Sequence, residues 1–180
     1  GYGNSPYQCL SAFAGNPYWV DLDLLAAAGL LQPDEIPDGF GSDPARAEYA
    51  ALEEGRLAVL QKAAARQQKA DPAYRAFCEK NAFWLEDYAL YMALKEAHGG
   101  EGFCAWPETL RLRQPAAMRL AHAQHALRVE FWRCVQYFFF IQWEALKNYA
   151  NGQGVELVGD IPIYVADDCA DLWAHPQLFQ

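Results

Sequence analysis

Between Pro115 and Asp160 the chain runs from a long helical pattern, through two glycines, into a short apolar stretch that ends on a carboxylate. Leu127, Phe131, Val135, Phe138, Gln142, Ala145 and Tyr149 step by three and four. That period predicts one helix from Pro115 to about Asn151, with Gln142 the one polar residue in its stripe. Gly152 and Gly154 end it, and Val155-Glu-Leu-Val-Gly159 reads as a strand. Asp160 follows at once. In parallel α/β folds, sites form at the C-terminal ends of strands, which makes Asp160 the leading candidate for a functional carboxylate. Its bland alternative is a turn or helix cap. One strand among so many helices cannot form a sheet alone. The chain therefore reads as α/β, part of a larger barrel with helical insertions, itself mostly helical with few strands.

The rest of the chain fits that frame. Residues 1–20 set Gly, Asn, Ser and Pro between aromatics, as in an ordered loop. Asp21 to Gly29 is a short helix capped by Asp21 and ended by Gly29, and residues 32–42 form a loop. Asp43-Pro44 opens a helix to about Ala70, with Gly55 a weak point, and Asp71-Pro72 repeats the same start signal for a helix to His98, stopped by Gly99-Gly100. Phe83, Trp84, Tyr88, Tyr91 and Leu94 form a broad apolar stripe on it. Residues 101–114 read as irregular.

Bulk properties exclude several partners. The net charge of −9 repels nucleic acid and anionic membranes and favours a neutral substrate over a polyanion. No apolar run approaches the roughly 20 residues of a membrane span. Cys9, Cys78, Cys104, Cys134 and Cys169 are odd in number and lack a C-x-x-C spacing. That argues against zinc and against a disulfide framework, and reduced thiols in the cytoplasm are the simplest account. Gly1-Tyr2-Gly3-Asn4 has neither Met nor a signal pattern, and reads as the edge of a chain cut from something longer.

Other polar clusters point away from chemistry. Asp167, Asp168 and Asp171 surround Cys169 without the alternating oxygen ligands and turn glycine of a calcium loop, and read as caps of a short helix leading to Trp173. His122 and His125 lack a neighbouring Glu on their helix and read as a solvent-facing pair, not a metal site. Glu86 and Asp87 are adjacent on one helix and point in different directions, so they are not an acid–base pair.

Four stretches carry a resemblance. They are Tyr2-Gly-Asn-Ser-Pro-Tyr-Gln-Cys-Leu-Ser-Ala-Phe-Ala-Gly-Asn-Pro17, Phe83-Trp-Leu-Glu-Asp-Tyr-Ala-Leu-Tyr-Met-Ala-Leu-Lys95, Phe138-Phe-Phe-Ile-Gln-Trp-Glu-Ala-Leu-Lys147 and Gly159-Asp-Ile-Pro-Ile-Tyr-Val-Ala-Asp-Asp-Cys-Ala-Asp-Leu-Trp-Ala-His-Pro176. In order and spacing they resemble the 4-α-glucanotransferases of the amylomaltase, or disproportionating-enzyme, family (glycoside hydrolase family 77).

The resemblance implies a (β/α)8 TIM barrel. Residues 1–37 would follow its first strand and carry a sugar-site loop. Residues 38–114 would be a mainly helical insertion. Residues 115–180 would hold a long helix, the third strand and a further sugar-site segment. It implies transfer of part of an α-1,4-glucan to the 4-hydroxyl of an acceptor by a retaining mechanism, in which one carboxylate attacks the anomeric carbon and a second acts as acid, then base. α-1,4-Glucans and maltooligosaccharides, with glucose as acceptor, would be the partners, with no metal or organic cofactor. Ser5 and Tyr7 match the donor-side motif, Asp160 matches a substrate-site carboxylate at the end of the third strand, and Tyr2 resembles an aromatic of a second, non-catalytic glucan site. The catalytic carboxylates would lie beyond Gln180, leaving these 180 residues inactive alone. Cys9 and Cys169 depart from the family's usual Ser, a weak thiol replacing a hydroxyl donor. The competing expectations are a glucan-binding or structural module that never catalyses, and a hydrolase of the same clan.

Overall fold

The computed structural model describes residues 7–40, 48–160 and 165–179, without the side chains of residues 53 and 54. Helices dominate, and their ends follow local chemistry. In α1 (Leu22–Ala27) the Asp21 carboxylate accepts from the Leu24 N–H at 3.1 Å. Gly29, at φ +74°, lets the Leu30 N–H reach back to the Leu25 carbonyl at 2.9 Å. α2 is Tyr49–Arg66, and the expected start at Asp43-Pro44 lies outside the described residues. Gly55 sits mid-helix against the Phe40 ring, where a Cβ would come within 2.8 Å, so it makes room for packing. α3 (Pro72–Ala97) begins where Asp71 accepts from the Ala73 N–H at 2.8 Å. It stops where Gly99, at φ +64°, turns the Gly100 N–H onto the Lys95 carbonyl.

Three expectations need correction. Residues 101–114 are not irregular throughout: they hold a 3-10 turn, Phe103–Ala105, and the one-turn helix α4 (Glu108–Arg111). The helix expected from Pro115 is two helices, α5 (Pro115–Gln124) and α6 (Ala126–Gly152), broken at His125. No glycine or proline lies between Ala116 and Asn151, so composition does not mark the break. The strand expected at residues 155–159 is exposed, irregular backbone. A strand exists only through hydrogen bonds to a neighbouring strand, and there is none among the described residues. Among the described residues the fold is thus mostly helical, as expected, but without the few strands expected. A short helix, α7 (Ala170–Ala174), and a 3-10 turn, Pro176–Leu178, follow. No described helix is long and apolar enough to cross a membrane.

The chain divides into two compact units. One comprises Gly1–Ala14, Cys78–Arg133 and Val158–Gln180, the other Gly15–Phe77 and Cys134–Leu157. In the first, Tyr88 through Leu94 of α3 are buried without a break, so the helix is enclosed on every side there instead of presenting a stripe. Phe83, expected in that stripe, is exposed and meets Phe13 edge-on at 5.4 Å between ring centres. Trp106 and Trp173 pack on Tyr91 at 5.4 and 5.9 Å, and burial of such side chains contributes about 1.5–3 kcal/mol each. Arg113, just after α4, holds φ at 51° although it is not glycine. Its guanidinium lies 4.2 Å from the Trp173 ring centre and pairs with Asp87.

In the second unit Leu25, Leu31, Leu60, Val135 and Phe138 are fully or almost fully buried. Two glutamines of α6 hold the extended chain beside it. Gln136 bonds the N–H and C=O of Gly15 at 2.8 and 3.0 Å, and Gln142 bonds those of Asp21 at 2.7 and 2.9 Å. The polar interruption of the helical stripe is therefore a backbone clamp.

Candidate functional site

Of the four sugar-site residues that the resemblance implies, Tyr7 and Asp160 can be located, both in the first unit. Tyr7 is 62% exposed, and Asp160 is exposed on irregular backbone. Ser5 and Tyr2 lie outside the described residues. In the same unit the structure gathers side chains that sequence reasoning did not bring together.

The acidic cluster is the centre of that arrangement. The short helix expected before Trp173 is α7, but its N-cap is Cys169, not an aspartate: the thiol sulfur accepts from the Leu172 N–H at 3.3 Å. Burial pushes the Cys169 thiol up to about 11, and burial raises Cys9 as well, so both stay protonated near neutrality. The flanking aspartates turn opposite ways. Asp168 accepts from the Tyr91 hydroxyl at 2.5 Å, from the Phe103 N–H at 3.0 Å and from the Lys95 ammonium. Asp171 accepts from the Ala12 N–H at 2.6 Å and from the Ser11 hydroxyl at 3.0 Å. Tyr91 and Lys95 stand four apart on α3, hence on one face, and that spacing was the signal available in the sequence.

The electrostatics of Asp168 can be read with its sign. Partial burial works to raise its pKa, but the Lys95 ammonium, the Tyr91 hydroxyl and the Phe103 N–H together hold it below the usual carboxylate range. Burial and the bond to Asp168 push Tyr91 upward, so it stays a donor. A carboxyl lowered in the fold contributes stability fully above its unfolded pKa of about 3.9 and loses it as pH falls through the folded value. Glu35, gripped by Arg66 at 2.5 and 3.0 Å and lowered to about 2, acts in the same window. The urea midpoint of the chain is therefore expected to fall from about pH 4 towards pH 2. Asp168→Asn should flatten that acid limb while lowering the plateau at pH 7. An unchanged acid limb in both Asp168→Asn and Glu35→Gln would contradict the assignment.

Other candidate groups are occupied structurally. Glu86 pairs with Arg133 and Asp87 with Arg113, so the adjacent acids of α3 hold two separate arginines. His122 and His125 are both half-buried. No group of three His, Cys, Asp or Glu among the described residues is arranged to hold a metal. The arrangement suits holding backbone segments in register, while Tyr7 and Asp160 face solvent.

The profile of a protein family described as 4-alpha-glucanotransferase matches residues 2–180. The chain belongs to the 4-alpha-glucanotransferase family. A 4-alpha-glucanotransferase of Thermus thermophilus is 45% identical over 186 residues, covering 99% of this chain and 36% of that protein. One from Streptococcus pneumoniae is 42% identical over 183 residues, with the same coverage of 99% and 36%. Among solved structures, amylomaltase from Streptococcus agalactiae in complex with acarbose superposes with a TM-score of 0.92 at 36% identity, covering 98% of this chain and 37% of that one. The chain thus spans about a third of the length of the family members it matches.

Proposed function

We propose that the complete protein is a 4-α-glucanotransferase that moves a segment of an α-1,4-glucan onto the 4-hydroxyl of an acceptor sugar by a retaining mechanism. The observation that carries this reading is the 0.92 superposition on an acarbose-bound amylomaltase, together with the family match over residues 2–180. Ser5, Tyr7 and Asp160 contribute to the substrate cleft in this reading, and Tyr2 to a second glucan site. Maltooligosaccharides and longer α-1,4-glucans are the donors, and glucose serves as acceptor. No metal or organic cofactor takes part. The five free cysteines fit a cytoplasmic setting.

The barrel belongs to the same reading. Ile141, Trp143, Leu146 and Tyr149 of α6 are 40, 40, 56 and 69% exposed, and Val155 and Leu157 are exposed as well. A helix with large apolar groups bare on several sides is one that further structure covers. Residues 155–159 supply a barrel strand once neighbouring strands pair with them.

The test is disproportionation of maltotriose by the complete protein, followed by chromatography. Glucose together with chains longer than maltotriose is the expected product set. Glucose and maltose alone would favour a hydrolase, and binding without turnover would favour a non-catalytic glucan-binding module. The 180-residue chain alone should give no products.

A further inference from the structure

Two short segments 160 residues apart in sequence are fastened together at the start of α7. The Leu10 carbonyl accepts from the Ala170 N–H at 2.8 Å, and the Ser11 hydroxyl donates to the Asp171 carboxylate at 3.0 Å. Residue 10 meets residue 170, and residue 11 meets residue 171. The same offset carried one residue back sets Cys9 against Cys169. Cys169 is still extended backbone, φ −142° and ψ 159°, so it precedes the helical turn that ends this alignment. Both thiols are free, Cys9 half-buried and Cys169 fully buried. The Ser11 N–H favours the Cys9 thiolate, and the Asp171 and Leu172 N–H groups favour that of Cys169, so each sulfur lies toward the amide two residues on. Those two amides belong to Ser11 and Asp171, the pair joined at 3.0 Å. Cys9 is also among the groups whose charge pushes the Cys169 thiol up, as a neighbouring thiolate would.

We propose that Cys9 and Cys169 form a modification site, a dithiol that a peroxide closes to an intramolecular disulfide. Backbones joined by N–H···O=C bonds, as in a sheet, run about 5 Å apart. A disulfide needs its Cα atoms within about 7 Å. Solvent reaches Cys9 and not Cys169, so Cys9 meets the oxidant. Its sulfur attacks one peroxide oxygen: the S–O bond forms, the O–O bond breaks, and the other oxygen leaves as water with the thiol proton. Cys9 is then a sulfenic acid. The Cys169 sulfur attacks the Cys9 sulfur: the S–S bond forms, the S–O bond breaks, and the hydroxyl leaves as a second water with the Cys169 proton. Two thiols and one peroxide give one disulfide and two waters, the sulfurs being oxidised and the peroxide reduced. Burial raises both thiols, which slows the first attack and keeps the pair reduced until oxidant is supplied. Cys104 is the rival partner, since the Phe103 N–H donates to Asp168 beside Cys169. Its side chain is exposed whereas that of Cys169 is buried, so the two thiols face different surroundings.

The experiment treats the complete, fully reduced protein with a small excess of hydrogen peroxide, digests it with chymotrypsin without reduction, and maps the peptides by mass spectrometry. A second arm adds dimedone, which traps sulfenic acids. The expected result is a peptide joining Cys9 to Cys169, with loss of that pair of thiols and recovery of both on treatment with dithiothreitol. Cys104→Ser should keep the cross-link. Cys169→Ser should lose it and leave dimedone on Cys9, whereas Cys9→Ser should lose it and leave Cys169 unlabelled. If either serine variant does not fold, the map of the unsubstituted protein decides alone. A link from Cys9 or Cys169 to Cys104 overturns the pairing, as does dimedone on Cys9 of the unsubstituted protein with no link to Cys169. No oxidation at Cys9, or a link between Cys9 and Cys169 that forms only in urea, overturns it as well, because the folded contact would then play no part. Glucan turnover is not read, so the outcome is independent of the maltotriose assay.

Discussion

Replacing Gln136 with leucine is expected to cost the chain about 2–5 kcal/mol, although leucine is apolar, of similar size and suited to a helix. Gln136 is fully buried, and its amide satisfies both polar groups of Gly15, the N–H at 2.8 Å and the C=O at 3.0 Å. Leucine would leave a donor and an acceptor in a half-buried setting with nothing to meet them, and each stranded group costs about 1–3 kcal/mol. Approaching from the other side gives a similar loss by a different mechanism. A Cβ on Gly15 would fall 2.1 Å from the Phe139 ring and 2.3 Å from the ring carbon nearest the backbone. That carbon moves little when the ring rotates, so Gly15→Ala must push the chain away from α6 and break the Gln136 bonds as it does. Overpacking of this kind costs about 1–3 kcal/mol before the lost hydrogen bonds are added. Because both substitutions break the same two bonds, the double variant should be markedly less destabilised than the sum of the singles. Urea midpoints of the four proteins measure this, and strict additivity would show that Gly15 and Gln136 act independently.

The two glutamine clamps mark the boundary of what the sequence discloses. Gln142 stood out as the polar member of an apolar stripe, yet nothing in the pattern says that it faces Asp21, 121 residues away. Local signals were readable: Asp21 capping α1, Asp71 before α3, and glycines at the ends of α1, α3 and α6 act within a turn of themselves. What failed was non-local. Residues 155–159 have strand composition, but a strand is a relation between two segments, and composition reports only one of them. Asp167, Asp168 and Asp171 were visible as a cluster whose plainest use was capping, whereas Cys169 takes the cap and two of the aspartates serve α3 and the loop at residues 11–12. The family was legible from four motifs, and it is shown by the match over residues 2–180. Among the proposed substrate residues, Tyr7 and Asp160 are solvent-facing and belong to the same unit.

The second large loss is expected from Trp173→Ala, at about 3–5 kcal/mol. The indole is 2% exposed, contacts Tyr91 and Trp106, and donates its N–H to the Leu110 carbonyl at 3.0 Å. Trp173→Phe keeps most of the apolar contact and loses the hydrogen bond, so its cost should be nearer 1–2 kcal/mol. The more informative variant lies across the ring. Arg113 keeps a left-handed backbone, which costs an L-residue about 1–2 kcal/mol relative to glycine. What holds it there is the Trp173 face under its guanidinium and the carboxylate of Asp87 beside it. In the parent chain, Arg113→Gly relieves the backbone but gives up both attractions, so its net effect should be small. With Trp173 already replaced by alanine, the cation–π contact has gone and only the relief and the ion pair remain. Arg113→Gly should then be about 1–2 kcal/mol more favourable in the Trp173→Ala background than in the parent. A thermodynamic cycle of the four chains by urea denaturation at pH 7 reads that coupling directly. A coupling of zero would mean that the ring does not hold the arginine, and that the turn after α4 and the Asp87 ion pair maintain the positive φ.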